Sequence, residues 1–329
     1  MIEKIYVYES DSTDPYYNLA IEKQLLNRVR TGMCILYLWQ NKNTVVIGRN
    51  QNPWVECRGE LLKNEGGKLA RRLSGGGAVF HDLGNLNFTF LLPESDFDLN
   101  RQLKVIQHAC GKFNITAEFS GRNDLLVDGM KFSGNAFYHT GDAAYHHGTL
   151  LVNADMDKLS RYLSPSAAKL KSKGVQSVRS RVTNLKNYAS TLNCEILKDA
   201  LKDSFAKIYG MPCSPIQLSD NDYSQAALFE KQFSSWEWNY GTPLPFDFTC
   251  NEHFAWGNIS MQLAVKNGIV QSAKVYTDAM DWNLPTTIEA KLSGIPFDTE
   301  SIVNAISQCN SVSDTVKKDI CQMIKSQNI

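Results

Sequence analysis

Apolar and polar positions alternate at residues 4–8, which predicts a strand. Asp14 then supplies a cap and Pro15 a first-turn proline for a helix reaching about residue 29, with Leu19, Leu25 and Leu26 on its buried side. Two apolar runs, 34–39 and 44–47, flank the polar turn Gln40-Asn41-Lys42-Asn43 and read as a hairpin. Residues 56–65 and 99–113 have helical periodicity, and strands at 124–127 and 130–138 surround an Asp128-Gly129 turn. A strand at 145–152 completes a sheet-rich region, after which helices at 155–163, 194–209 and 224–233 dominate. Leu86, Phe88 and Phe90 alternate with Asn85, Asn87 and Thr89, the signature of a half-buried strand.

Strands first and helices later predict an α+β fold. Gly241, Pro243 and Pro245 mark a linker over about 241–252, so the chain divides into a larger domain, 1–245, and a small α+β accessory domain, 253–329. In the latter, strands fall near 259–265 and 269–276 and helices near 299–308 and 313–325.

Composition narrows the function. Lys+Arg and Asp+Glu both total 34 in 329 residues, so the net charge is zero, which argues against a general nucleic-acid binder. The eight cysteines form no C-x-x-C pair and read as buried free thiols. With no apolar signal region and no membrane-length run, the expected location is the cytoplasm, with no membrane partner. Asn87-Phe88-Thr89 matches a glycosylation acceptor only incidentally, being inside a strand.

The most informative chemistry lies at 71–90. Arg71 and Arg72 precede Gly75, Gly76 and Gly77, whose missing Cβ atoms let backbone N–H groups approach an anion. Neither G-x-G-x-x-G nor G-x-x-x-x-G-K-[ST] occurs there, so another nucleotide-binding architecture is required. Lys131 lies on a strand with Ser133 and Gly134 beside it, which predicts room for a ligand at its ammonium. Asn123 and Asp124 are oxygen donors suited to Mg²⁺ or ATP, or equally to capping a turn. His81, His146 and His147 make a poor zinc signature and read as pocket-lining hydrogen-bonding groups. Trp39, Val45, Val46, Leu73, Val79, Phe137 and Leu150 are candidates for an apolar acyl tunnel or for ordinary core. The stretch 169–181 carries Lys169, Lys171, Lys173, Arg179 and Arg181 without an acidic residue, either a solvated loop or a segment closing over phosphates or an acidic partner.

In order along the chain, LWQNKNTVVIGRNQNPWVEC, RRLSGGGAVFHDLGN, GRNDLLV, KFSGNAF, YHHGTLLVNADM, SVRSRVTNL and SWEWNYG resemble the bacterial two-domain lipoate-protein ligases. The resemblance implies a mixed-sheet catalytic domain of the kind shared with biotin-protein ligases and class II aminoacyl-tRNA synthetases. It also implies joining of lipoate to ATP as lipoyl-adenylate, with release of pyrophosphate. The acyl group then passes to one lysine of apo lipoyl carrier domains, in 2-oxoacid dehydrogenase complexes and glycine-cleavage H protein. By the same resemblance, Arg72, Gly76, Gly77, Ala78, Val79, Phe80, Asn123, Asp124 and Lys131 hold ATP or the adenylate. Arg71, Ser74, Gly75, His81, His147 and Lys131 hold lipoate, Lys131 is the catalytic cation, and Asp124 carries Mg²⁺. Rival readings are a transferase that uses preformed lipoyl-adenylate or acyl-carrier octanoyl groups, and a non-catalytic carrier-binding module. Biotin ligation lacks its GRGR-type loop.

Overall fold

A computed structural model describes residues 1–120, 123–163, 182–241 and 246–327. The basic stretch 169–181, the Gly121-Arg122 pair and the prolines at 243 and 245 lie outside the described residues. The described chain groups into two compact units. One comprises Met1–Val46, Trp54–Arg71 and Val79–Asn239; the other joins Ile47–Pro53 and Arg72–Ala78 to Tyr240–Ile329. Two short segments from within the stretch that reads as the larger domain thus group with the C-terminal region.

In the first unit, Lys4–Glu9 (β1) pairs in parallel with Met33–Trp39 (β2) through the intervening helix Pro15–Arg28, whose N-cap Asp14 accepts a hydrogen bond from Tyr16 N. Thr44–Ile47 (β3), Lys68–Arg71 (β4) and Val79–His81 (β5) form a separate three-stranded sheet, ordered β4-β3-β5. Asn85–Pro93 (β6), Glu118–Ser120 (β7), Asp124–Val127 (β8), Met130–His139 (β9), Ala143–Leu151 (β10) and Cys213–Pro215 (β11) complete the main sheet. Its order is β11-β1-β2-β6-β10-β9-β8-β7.

The expected β2/β3 hairpin is absent. β2 is already paired on both edges, by β1 and β6, so no edge is left for β3. The turn between them is drawn aside instead: Asn18 Nδ2 donates to Gln40 O and to Asn41 Oδ1, and Asn41 Nδ2 meets His81 Nδ1 at 3.1 Å. The Asp128-Gly129 turn forms as expected, with both residues at positive φ, 49° and 74°, the geometry a tight two-residue hairpin requires.

β6 is not half-buried: all nine of its residues are buried. One face, with Leu86, Phe88 and Phe90, joins Leu36, Leu38 and Leu150 and the helices Leu99–Gly111 and Cys194–Tyr209 in the main core. The polar face lies under the helix Pro15–Arg28, where Thr89 bonds Glu22. Helix 56–65 is two short pieces, Pro53–Glu56 and Gly59–Asn64, and helix 224–233 begins earlier, at Asp220, where Ser219 and Asp222 make a reciprocal capping box.

In the second unit, Phe248–Phe254 (β12), Gly257–Lys266 (β13) and Ile269–Thr277 (β14) form an antiparallel sheet. The helices Leu284–Leu292, Thr299–Ser307 and Asp314–Lys325 share one core with it. β12 and the first of these helices escaped the sequence pattern. Of the eight cysteines, all are free thiols; six are buried, and Cys194 and Cys213 are half-buried. No helix among the described residues is long and apolar enough to cross a membrane.

Candidate active site

The glycine run is built into the second unit, and its three glycines stand in different surroundings. A Cβ on Gly75 would collide with Ala279 O and stand 2.8 Å from Met280 O. Gly76 has φ +87°, a region L side chains rarely adopt, and its N–H donates to Ala279 O at 3.3 Å. A Cβ on Gly77 would meet nothing within 4 Å among the described residues. The neighbouring turn is tied to the loop, to the end of β14 and to the segment that follows it: Arg49 N donates to Ser74 O at 2.8 Å, Asn50 Nδ2 to Trp282 O at 2.8 Å, and Thr277 N to Asn50 O at 2.9 Å.

The two arginines are occupied locally. Arg72 Nε donates to Ser74 Oγ at 3.0 Å, and its Nη2 donates to Gly75 O at 2.6 Å and Gly77 O at 2.8 Å. Its planar fork thereby gathers the carbonyls of the loop onto one side. Arg71, which ends β4, donates through Nε to Trp238 O and through Nη2 to Asn239 O, while Trp238 Nε1 donates back to Arg71 O. Arg71 therefore clasps the short helix Trp236–Tyr240. Beyond the loop, Val79 pairs with Val46, and the Phe80 ring packs on Tyr162 at 5.3 Å, so that ring belongs to the interior.

A buried polar network lies on the covered face of the main sheet. Glu22, 1 % exposed, accepts at Oε1 from the Thr89 hydroxyl at 2.7 Å and from His147 Nδ1 at 2.9 Å; Thr89 accepts from Trp39 Nε1 at 3.1 Å. A carboxylate only accepts, so Glu22 fixes the His147 proton on Nδ1. His81 is fixed in the opposite sense, because the Asn41 amide donates to its Nδ1. Glu22 and Thr89 escaped the sequence reading. The signal was there in Asn18 and Glu22, four residues apart within the apolar stripe of the first helix.

His146 points to the opposite face and is structural. Asn135 Nδ2 is spent on Asn123 O, so Asn135 Oδ1 accepts from His146 Nε2 at 2.8 Å. His146 Nδ1 then needs a donor; Gln102 Oε1 stands 2.9 Å from it and Gln102 Nε2 has no partner among the described residues, so turning that amide over satisfies both groups. Burial, with a smaller contribution from His147, pushes the His146 pKa down to about 3. The unfolded chain takes up this proton near pH 6.5 and the folded one only near 3, so stability contributed by the neutral ring is complete above 6.5 and declines as pH falls toward 3. The decline amounts to about 1.4 kcal/mol per pH unit within that window. Urea midpoints measured from pH 7 to pH 4 should fall less steeply for His146→Gln than for the parent; equal slopes would rule out this titration.

Lys131 forms an ion pair with Asp124 across β8 and β9, at 2.6 Å, with both side chains about one-third exposed. The space that the sequence assigned to a ligand beside Gly134 is filled by the lysine's own chain: a Cβ there would lie 3.1 Å from Lys131 Nζ. The Asn123 amide donates to Asn135 O, and Asn135 N donates to Asn123 O, a clasp that fixes the start of β8. No group of three or more His, Cys, Asp or Glu among the described residues could hold a metal. Asp124, the residue expected to carry Mg²⁺, is engaged here by the Lys131 ammonium. The expected tunnel residues do not share one face either: Trp39 lies on the Glu22 side, whereas Leu150 belongs to the main core and Phe137 packs on His146.

A model of the lipoyl protein ligase A/B catalytic domain matches residues 14–206, and one of the bacterial lipoate protein ligase C-terminus matches residues 244–324. Lipoate-protein ligase A of Psychrobacter cryohalolentis is 39 % identical over 324 residues, covering 93 % of each chain; that of Blochmanniella pennsylvanica is 37 % identical over 322 residues and 95 % of each. Among solved structures, P. falciparum LipL1 in complex with lipoate matches with a TM-score of 0.86 at 29 % identity, covering 98 % of this chain and 100 % of that one. Lipoate-protein ligase A bound with ATP matches with a TM-score of 0.64 at 26 % identity, covering 73 % and 99 %. With matches to both domain models and close relatives over nearly its whole length, the chain belongs to the lipoate-protein ligase family.

Proposed function

We propose that the protein activates free lipoate with ATP to lipoyl-AMP, releasing pyrophosphate, and passes the lipoyl group to a lysine of apo lipoyl carrier domains. The carriers are the acyltransferase subunits of 2-oxoacid dehydrogenases and glycine-cleavage H protein, and the enzyme works in the cytoplasm. Family membership over both domains supports the reaction, and a relative solved with ATP supports the nucleotide.

The observation that carries the mechanism is the Lys131 ammonium, held by the Asp124 carboxylate beside the half-buried Gly134 and Thr149. In this reading the lipoate carboxylate takes the place of Asp124 at Lys131. One of its oxygens attacks the α-phosphorus while the bond to the pyrophosphate oxygen breaks, and Lys131 offsets the negative charge growing there. At about 4 Å and an effective dielectric near 20, that attraction is worth about 4 kcal/mol per unit charge. In the second half-reaction the carrier lysine's amine nitrogen attacks the acyl carbonyl and AMP departs. Arg72, Gly76, Gly77, Ala78, Val79 and Phe80 offer main-chain groups to the nucleotide; Ser74, Gly75, His81 and His147 contribute to the acyl pocket. Asp124, released from Lys131, would hold Mg²⁺ together with the ATP phosphates, and the ion would there offset phosphate charge.

A direct assay mixes the protein with lipoate, Mg-ATP and an apo carrier domain, following pyrophosphate and carrier mass separately. Both signals are expected. Carrier modification only when lipoyl-adenylate is supplied would identify a transferase, and neither signal would leave a binding module.

A further inference from the structure

Asn85 and Asn87 lie on the covered face of β6, 0 % and 1 % exposed. Asn85 Nδ2 donates to Asn87 Oδ1 at 2.9 Å, but Asn85 Oδ1 and Asn87 Nδ2 are buried with no hydrogen-bond partner among the described residues. Turning both amides together keeps their mutual bond and exchanges which residue holds the spare donor. In either arrangement, one donor and one acceptor are unspent. Two positions along the same strand face, Thr89 is fully engaged with Trp39 and Glu22. Buried amides of this kind are costly to leave unmade and call for an explanation.

Their place in the sheet supplies one. Asn87 stands opposite Trp39 on β2 and opposite Thr149 on β10. The Thr149 hydroxyl accepts from Gly134 N at 3.3 Å, Gly134 stands opposite Asp124, and Lys131 Nζ lies over Gly134. A row therefore crosses the sheet from the buried amide pair, through the half-buried Thr149 and Gly134, to the lysine. Asn87 and Gly134 are two strand spacings apart, about 10 Å. An asparagine on one side and a lysine on the other, with one carboxyl group between them, can close that gap.

We propose that the Asn85–Asn87 amide pair is a further substrate-contacting element, whose spare donor hydrogen-bonds the carboxylate of the medium-chain acyl substrate while Lys131 holds the other side. The proposal rests on the reading of Lys131 given above. A carboxylate suits the place because it only accepts, and both the ammonium and the spare amide N–H donate. After activation the acyl carbonyl oxygen keeps the same acceptor role.

The test uses the full chain with octanoate as probe, the double variant Asn85→Leu/Asn87→Leu and the single variant Asn87→Ser, with Lys131→Ala in parallel. Melting without ligand and octanoate affinity by calorimetry are read together. A substrate-contacting pair gives opposite signs: the melting midpoint of the double variant is unchanged or raised, because two unspent polar groups are gone, while octanoate affinity falls roughly tenfold or more. Asn87→Ser, which keeps a small polar group and protects the test if the double variant does not fold, also weakens octanoate. A lowered midpoint with affinity retained would mean that the amides only hold the strands or bind water, and the proposal would be overturned. If Lys131→Ala abolishes octanoate binding and the asparagine variants do not, the amide contact alone fails. If Lys131→Ala retains octanoate, the Lys131 reading fails and takes this proposal with it.

Discussion

Lys131→Ala should remove lipoyl-adenylate formation almost completely while the protein remains folded. Among the described residues the lysine's partner is one carboxylate, Asp124 at 2.6 Å, and both side chains are about one-third exposed. Half-exposed pairs of this kind contribute about 0–1 kcal/mol to stability. A shift of no more than about 4 °C in the melting midpoint is expected for a unit of this size. The rate is another matter. Removing one preorganised group that meets charge developing in a transition state costs on the order of 10²–10³-fold, and here the group carries a full charge. Pyrophosphate release from lipoate and Mg-ATP should fall by at least that factor. The parent rate in Lys131→Ala would falsify the assignment, and a large loss of melting temperature would show that the Asp124 pair is chiefly structural.

The second large effect separates the three glycines. Gly75→Ala forces a methyl group against the Ala279 and Met280 carbonyls, backbone atoms that cannot turn away. Overpacking of that sort costs about 1–3 kcal/mol. Gly76→Ala places a side chain at φ +87°, a strain of about 1–2 kcal/mol. Both should lower the melting temperature and, by displacing the loop, lower ATP affinity. Gly77→Ala meets nothing among the described residues, so its melting temperature should match the parent. If its backbone approaches the nucleotide, ATP affinity nevertheless drops by more than about tenfold, as a methyl group intrudes where only a hydrogen fits. Thermal melting beside an ATP titration reads all three variants. Undiminished affinity in Gly77→Ala would remove that glycine from the nucleotide cradle.

The same comparison shows how a motif can be legible while its physics is not. The run Ser74-Gly75-Gly76-Gly77 marks an anion loop by residue type alone. That two of its glycines serve the protein's own backbone, and only the third is free of it, depends on residues 279–280, some two hundred positions later. Arg71 and Arg72 likewise read as ligand donors, yet the carbonyls they hold belong to Trp238, Asn239 and the loop itself. A guanidinium's five donors are visible in a sequence; which acceptors they meet is not.

By itself, the sequence determined whatever is settled within a few residues. The Asp14 cap, the Asp128-Gly129 hairpin, the helix Cys194–Tyr209 and the ordered motifs that mark the family all follow from local chemistry. Tertiary structure alone decided which elements share a sheet and what covers each face. Alternation along β6 distinguishes two faces but says nothing of what lies over them, so its polar residues read as solvated although a helix buries them. The Glu22 network joins positions 67 and 125 residues apart, Thr89 and His147, and neither separation leaves a periodic trace. β2 and β3 parted for the same reason: strand pairing depends on which edges remain open after every other strand is placed, and that is a property of the assembled sheet.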